Sequence, residues 1–142
     1  MKLVVGLGNP GKKYLNTRHN VGFDVLSEML RRFPGDRPKG RFSGETVDLA
    51  VSGQKVLLLW PHTFMNVSGT SVLAARDFYK IEDEDLLVLC DDFQLPLGKL
   101  RLRTGGSSGG QKGLDDCLRR LGSQNLPRLR LGIGPVPELS LI

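Results

Sequence analysis

Apolar residues recur along this chain in two rhythms. Lys2–Leu7 is a short leucine- and valine-rich run broken by Gly8-Asn9-Pro10-Gly11, the signature of a strand entering a tight turn. From Asn20 onward, Val21, Val25, Leu26, Met29 and Leu30 fall at helical spacing. That spacing predicts a helix to about Phe33, capped by Asn20 and ended by Pro34, Gly35 and Pro38. Val47–Val51 and Lys55–Trp60, joined across Ser52-Gly53-Gln54, predict a hairpin. A second helix is expected from near Asn66 or Ser68 to Lys80, with Val72, Leu73, Phe78 and Tyr79 turned inward. Leu86–Cys90 is continuously apolar, as in a strand buried on both faces. Lys99–Arg103 alternates like a strand. Leu114, Cys117, Leu118 and Leu121 mark a third helix stopped by Gly122, and Arg128–Ile133 alternates like a last strand. Hairpins mixed with crossovers imply an α/β domain, a mixed sheet with helices on both faces.

With 142 residues, 39% hydrophobic and 25% charged, the chain has the size and balance of a single globular domain over residues 1–142, which excludes disordered and fibrous classes. Cys90 and Cys117 fit no metal or redox spacing and lie in apolar stretches, so two buried, reduced thiols are expected. With no signal peptide or long apolar span, that points to the cytoplasm. The net charge is +5, and its placement matters more than its size. From Lys99 onward eight basic residues face three acidic ones, a balance suited to a phosphate-rich partner such as RNA.

Two glycine motifs invite nucleotide readings that their surroundings do not support. Gly6-Leu7-Gly8-Asn9-Pro10-Gly11 matches GxGxxG. A dinucleotide site needs a helix opening at the third glycine and an acidic residue about 20 positions on, and Arg31 and Arg32 occupy that region. In Gly105–Gly113, Gln111 intervenes before Lys112, and Gly113 stands where a magnesium-binding hydroxyl belongs. This loop instead offers backbone N–H groups and a lysine at a helix start, suited to approaching a phosphate.

The residues equipped for chemistry are His19, Asp91, Asp92, Asn9, Asn66 and Lys112. Histidine titrates nearest neutrality and serves as a general base. An aspartate at the end of a buried strand, Asp91 or Asp92, can fix its tautomer. Asn66 is either a helix cap or an amide that stabilises an oxyanion. His62 is read as structural. Cys90, in an apolar strand, is read as unreactive, so attack by water is favoured over covalent catalysis.

Six ordered blocks then carry a resemblance: Val4–Gly11, Thr17–Gly22, Thr63–Gly69, Leu95–Gly98, Lys112–Leu114 and Arg128–Gly134. Together they resemble the bacterial-type peptidyl-tRNA hydrolase family across nearly the entire chain. The resemblance implies a monomeric enzyme, without metal or cofactor, that cleaves the ester between a peptide and the 3′ ribose of tRNA. It implies His19 as the base activating water, Asp91 as the residue orienting it, and Asn9 and Asn66 as amides holding peptide, water or oxyanion. The glycine-rich loop, Gln111, Lys112 and nearby arginines would grip tRNA, and Tyr14 and Phe64 would line the cleft. Two departures stand out. Many members carry histidine and asparagine where this chain has Gln111 and Lys112, and members continue past Gly134 into a lid segment and terminal helix that this chain apparently lacks. The alternative is a catalytically weak or inactive RNA-binding protein on the same fold.

Overall fold

A computed structural model describes residues 1–10 and 20–134. Its core is a seven-stranded mixed sheet of β1 (Lys2–Gly6), β2 (Lys39–Arg41), β3 (Gly44–Val51), β4 (Gln54–Pro61), β5 (Leu86–Asp92), β6 (Leu100–Arg103) and β7 (Arg128–Gly132), in the order β2-β3-β4-β1-β5-β7-β6. Strands β4, β1, β5 and β7 run parallel to one another, while β2–β3, β3–β4 and β6–β7 are antiparallel. β1 therefore lies between β4 and β5, where successive chain segments depart to opposite sides.

Helices cover both faces. Leu3, Val5, Leu57, Leu59, Leu86 and Val88 pack against α2 (Ser68–Tyr79) and α3 (Lys112–Leu121) through Val72, Ala75, Leu114, Cys117 and Leu121. Val4, Leu58 and Leu89 pack on the other face against Val25, Leu26 and Met29 of α1 (Val21–Arg32). Opposite burial of alternate residues explains why β1 and β5 carry unbroken apolar runs instead of alternation. Each face needs its own apolar set.

Both cysteines are free and buried. Burial pushes the Cys90 thiol up to about 12 and raises that of Cys117 further. Neither forms the thiolate that reacts, so thiol reagents are expected to leave the native protein unlabelled and to react only after denaturation, as mass spectrometry would detect.

The structure departs from the sequence expectations at three places. The hairpin between β3 and β4 turns on Ser52 and Gly53 alone, both at positive φ (51° and 81°), with Val51 opposite Gln54, and β3 starts at Gly44. A second hairpin joins β2 to β3 through Phe42 and Ser43, at φ 56° and 54°. Side-chain packing holds this unfavourable turn: the Phe42 ring lies 5.5 Å from Phe78 and 6.1 Å from Tyr79, and the Arg41 guanidinium sits over all three rings and bonds the Tyr79 hydroxyl. Phe78 consequently is not turned into the core as expected; it is 66% exposed beside this turn.

Candidate active site

Asn9 follows β1, Asn66 follows β4 in the 3-10 turn Met65–Val67, and Asp91 is the penultimate residue of β5. Because β4, β1 and β5 are parallel neighbours, these positions share one edge, the carboxyl edge at the crossing point where open α/β sheets bind ligands. A cavity of about 460 Å³ opens there, lined by Asn9, Met65, Asp91, Gln111, Lys112 and Arg130 among others. A neighbouring cavity of about 290 Å³ is lined by Asn66, Ser108, Gly110, Lys112, Asp115 and Arg119. Lys112 and Gly110 border both.

The Asn9 turn is held from two directions. Its backbone N–H donates to Asn20 Oδ1 and its carbonyl accepts from Asn20 Nδ2, both at 2.9 Å. Its own Oδ1 accepts the Met65 N–H at 2.7 Å, tying the end of β1 to the turn that carries Asn66. Asn20 is buried and makes no side-chain cap bond to α1, so the predicted cap is instead a clasp on Asn9. Sequence reasoning missed this role because nothing in the spacing of the two residues distinguishes a clasp from a cap. Asn20→Ala leaves two backbone groups of Asn9 without these partners. It is expected to destabilise by about 1–3 kcal/mol and to lower turnover, measurable by denaturant unfolding and steady-state kinetics.

The two strand-end aspartates have different surroundings. Asp91 is buried, and its Oδ1 accepts from Gln111 Nε2 at 2.9 Å. Asp92 Oδ1 accepts the Gln94 N–H at 2.9 Å, closing the following turn, while its Oδ2 lies 3.9 Å from Arg130 Nη1.

The glycine-rich loop is pinned from beneath by two arginines of β7. Arg128 is fully buried, opposite Val88 in the register, and donates to Leu126 O at 2.7 Å and Ser107 O at 2.9 Å. Burial, reinforced by the neighbouring Arg130 cation, lowers the pKa of Arg128. Arg130 donates to Ser107 O at 3.2 Å and Ser108 O at 2.8 Å. These guanidiniums hold loop carbonyls on the protein side, so Arg128 is engaged by the fold and not open to a phosphate as the sequence reading had it for the arginines near the loop. Arg119, by contrast, borders the second cavity with Lys112.

The start of α2 is tied to the middle of α3 by Asp116. It is buried, accepts the Gly69 N–H at the start of α2 at 2.7 Å, and pairs with Arg120 at 2.9 Å. A carboxylate at a helix N-terminus also meets the positive end of the helix dipole.

Of the remaining predicted residues, Phe64 is 60% exposed and lines neither cavity. His19 and Tyr14 lie outside the described residues. His62 does not line the cavities; its Nε2 lies 3.7 Å from Glu45 Oε2.

Residues 3–140 match the family model described as peptidyl-tRNA hydrolase. The chain belongs to the peptidyl-tRNA hydrolase family. It is 55% identical over 137 residues to a peptidyl-tRNA hydrolase of Rhodopirellula baltica, covering 96% of this chain and 72% of that protein. A Chlorobium phaeobacteroides peptidyl-tRNA hydrolase is 49% identical, with coverages of 94% and 71%. Among solved structures, the peptidyl-tRNA hydrolase of Acinetobacter baumannii superposes with a TM-score of 0.90 at 39% identity, over 97% of this chain and 70% of that one. The mixed sheet with helices on both faces is thus the peptidyl-tRNA hydrolase fold. Among the described residues no helix is long and apolar enough to cross a membrane, and no three His, Cys, Asp or Glu side chains gather as a metal site would require.

Proposed function

We propose that this chain hydrolyses the ester linking peptide to the 3′ ribose of tRNA, with His19 as general base, acting as a monomer in the cytoplasm. The observation that carries this reading is the convergence of Asn9, Asp91 and the start of α3 on one cavity at the carboxyl edge of the sheet.

The chemistry follows from what each group can do. His19 takes a proton from water as the oxygen attacks the ester carbonyl and returns it to the departing ribose oxygen. Asp91 accepts a hydrogen bond from the imidazole and holds its orientation. A backbone N–H can only donate, so the bond from Met65 fixes the Asn9 oxygen and leaves its N–H2 end as the donor for the peptide portion or the attacking water. Asn66 supplies a second amide donor where charge develops on the carbonyl oxygen. Lys112 and the N–H groups of the glycine-rich loop meet tRNA phosphates, and Tyr14 and Phe64 contact the substrate outside the reacting centre.

Hydrolysis of an N-blocked aminoacyl-tRNA by this chain tests the assignment. Turnover is expected. A folded sample that binds tRNA without releasing the blocked amino acid overturns the reading in favour of an RNA-binding role. Lys112→Ala is expected to weaken tRNA binding and to reduce the slope of log affinity against log salt by about one, read from titrations at several salt concentrations. An unchanged slope places the phosphate contact elsewhere.

A further inference from the structure

We infer that Gln111 is a positioning residue for the reaction, holding the Asp91 carboxylate in one orientation through a hydrogen bond while its other amide end caps α3. This rests on the role proposed above for Asp91.

Gln111 is the N-cap of α3, with extended backbone (φ −75°, ψ 117°). Its Oε1 accepts the Leu114 N–H at 2.6 Å and its Nε2 donates to Asp91 Oδ1 at 2.9 Å. Nε2 also donates to Met65 Sδ, at 3.4 Å. These partners leave the amide one orientation, because a backbone N–H only donates and an ionised carboxylate only accepts. A group standing between them must accept at one end and donate at the other. Glutamate lacks the donor and lysine lacks the acceptor.

Glutamine is also an unusual choice for a cap alone. Serine, threonine, aspartate and asparagine are preferred there, being short and losing less side-chain freedom. A longer amide at this position needs a second reason, and the reach to Asp91 supplies one. The neighbourhood is built to seat it. A Cβ at Gly113 would lie 3.2 Å from Gln111 Oε1 and 2.5 Å from Met65 Sδ, so glycine there makes room for both side chains. Lys112 follows directly, so the residue proposed to meet phosphate and the residue holding Asp91 share the first turn of α3. Placement of tRNA on that turn is thereby coupled to the orientation of the carboxylate.

Gln111→Glu separates the two roles when assayed at alkaline pH, since it keeps the length and the cap acceptor but replaces the donor facing Asp91 with a second carboxylate oxygen, which repels Asp91 instead of holding it. It is expected to lower kcat about tenfold or more, through the lost charge-assisted bond and the like-charge repulsion at the reacting centre, with KM for an N-blocked aminoacyl-tRNA within about twofold of wild type and a melting temperature that is lowered by the like-charge pair and recovers when Asp91→Asn is added. Gln111→Met, which loses both ends, is expected to lower kcat and the melting temperature together. The double variant Asp91→Asn with Gln111→Glu reverses amide and carboxylate, and its kcat is expected to be no lower than that of Asp91→Asn alone. Wild-type kcat in Gln111→Glu beside a slow Asp91→Asn overturns the positioning role and leaves the Asp91 reading standing. Wild-type kcat in Asp91→Asn overturns both. Independent, multiplicative losses in the double variant also overturn the proposal, because a residue acting only through Asp91 has nothing left to orient once Asp91 is changed.

Discussion

His19→Ala is expected to reduce kcat by about 10²–10⁴-fold, the range that a positioned general base contributes, while tRNA affinity stays within about twofold because the imidazole acts on water and not on the phosphate grip. Without the base, water must attack the ester unassisted and the ribose oxygen must leave without a delivered proton. The amide donors and the substrate grip remain, so some acceleration over the uncatalysed reaction should survive. Single-turnover hydrolysis of an N-blocked aminoacyl-tRNA, with tRNA binding measured on the same samples, checks both halves. Wild-type turnover in this variant overturns the mechanism. Loss of binding together with turnover shows that the residue does more than activate water.

A large effect on the fold is expected from Gly22→Ala. A Cβ at Gly22 would stand 2.7 Å from Leu7 O, 2.8 Å from Leu7 N and 2.9 Å from Leu89 O. Those are backbone atoms just past the end of β1 and in the middle of β5, and a backbone held in a sheet cannot swing aside as a side-chain tip can. α1 must lift off the sheet, opening the contact of Leu26 with Val4, Leu58 and Leu89. The cost should be about 3 kcal/mol or more, at the upper end of overpacking, lowering the melting temperature by about 10 °C for a chain of this size. Activity should fall as well, because Asn20, which clasps the Asn9 turn, lies two residues before Gly22. Thermal unfolding followed by circular dichroism measures the first effect. A melting temperature within about 2 °C of wild type would show that the helix has room that the geometry denies it.

The same crossing explains one of the glycine motifs. A Cβ at Gly6 would collide with the Gly22 carbonyl, so the first glycine of the GxGxxG pattern serves close helix–strand packing. That glycine is accounted for by the fold without a dinucleotide. The second motif is accounted for similarly. The carbonyls of Ser107 and Ser108 are taken by Arg128 and Arg130, which fixes a loop that composition alone would make pliable.

What was legible in the sequence was whatever depends on local periodicity and local punctuation. β1, α1, the β3–β4 hairpin, α2, β5, α3 and β7 all announce themselves by the spacing of apolar residues, and Gly122 ends α3 in the left-handed conformation, as a glycine stop should. β2 was not legible. It is three residues long, and its turn uses Phe42 and Ser43 where a sequence rule looks for asparagine or glycine; rings remote in the chain stabilise it. Phe78 was misplaced for the same reason, since helical spacing cannot tell a core face from a face that meets a distant hairpin turn.

For the site, the sequence by itself determined which residues carry useful chemistry, because an amide, an imidazole or a carboxylate has its donors, acceptors and proton affinity wherever it stands. The sequence blocks also determined the family, since their order survives any ignorance of the fold. Tertiary structure alone decided which groups meet. Parallel pairing of β4, β1 and β5 brings Asn9, Asn66 and Asp91 to one edge from positions far apart in the chain. Burial of Arg128 turned a cation that composition counts toward RNA into a support for the loop. The direction of a hydrogen bond made Asn20 a clasp and put Gln111 between a helix end and Asp91. Such pairings depend on distance and orientation in three dimensions, and a one-dimensional pattern records neither.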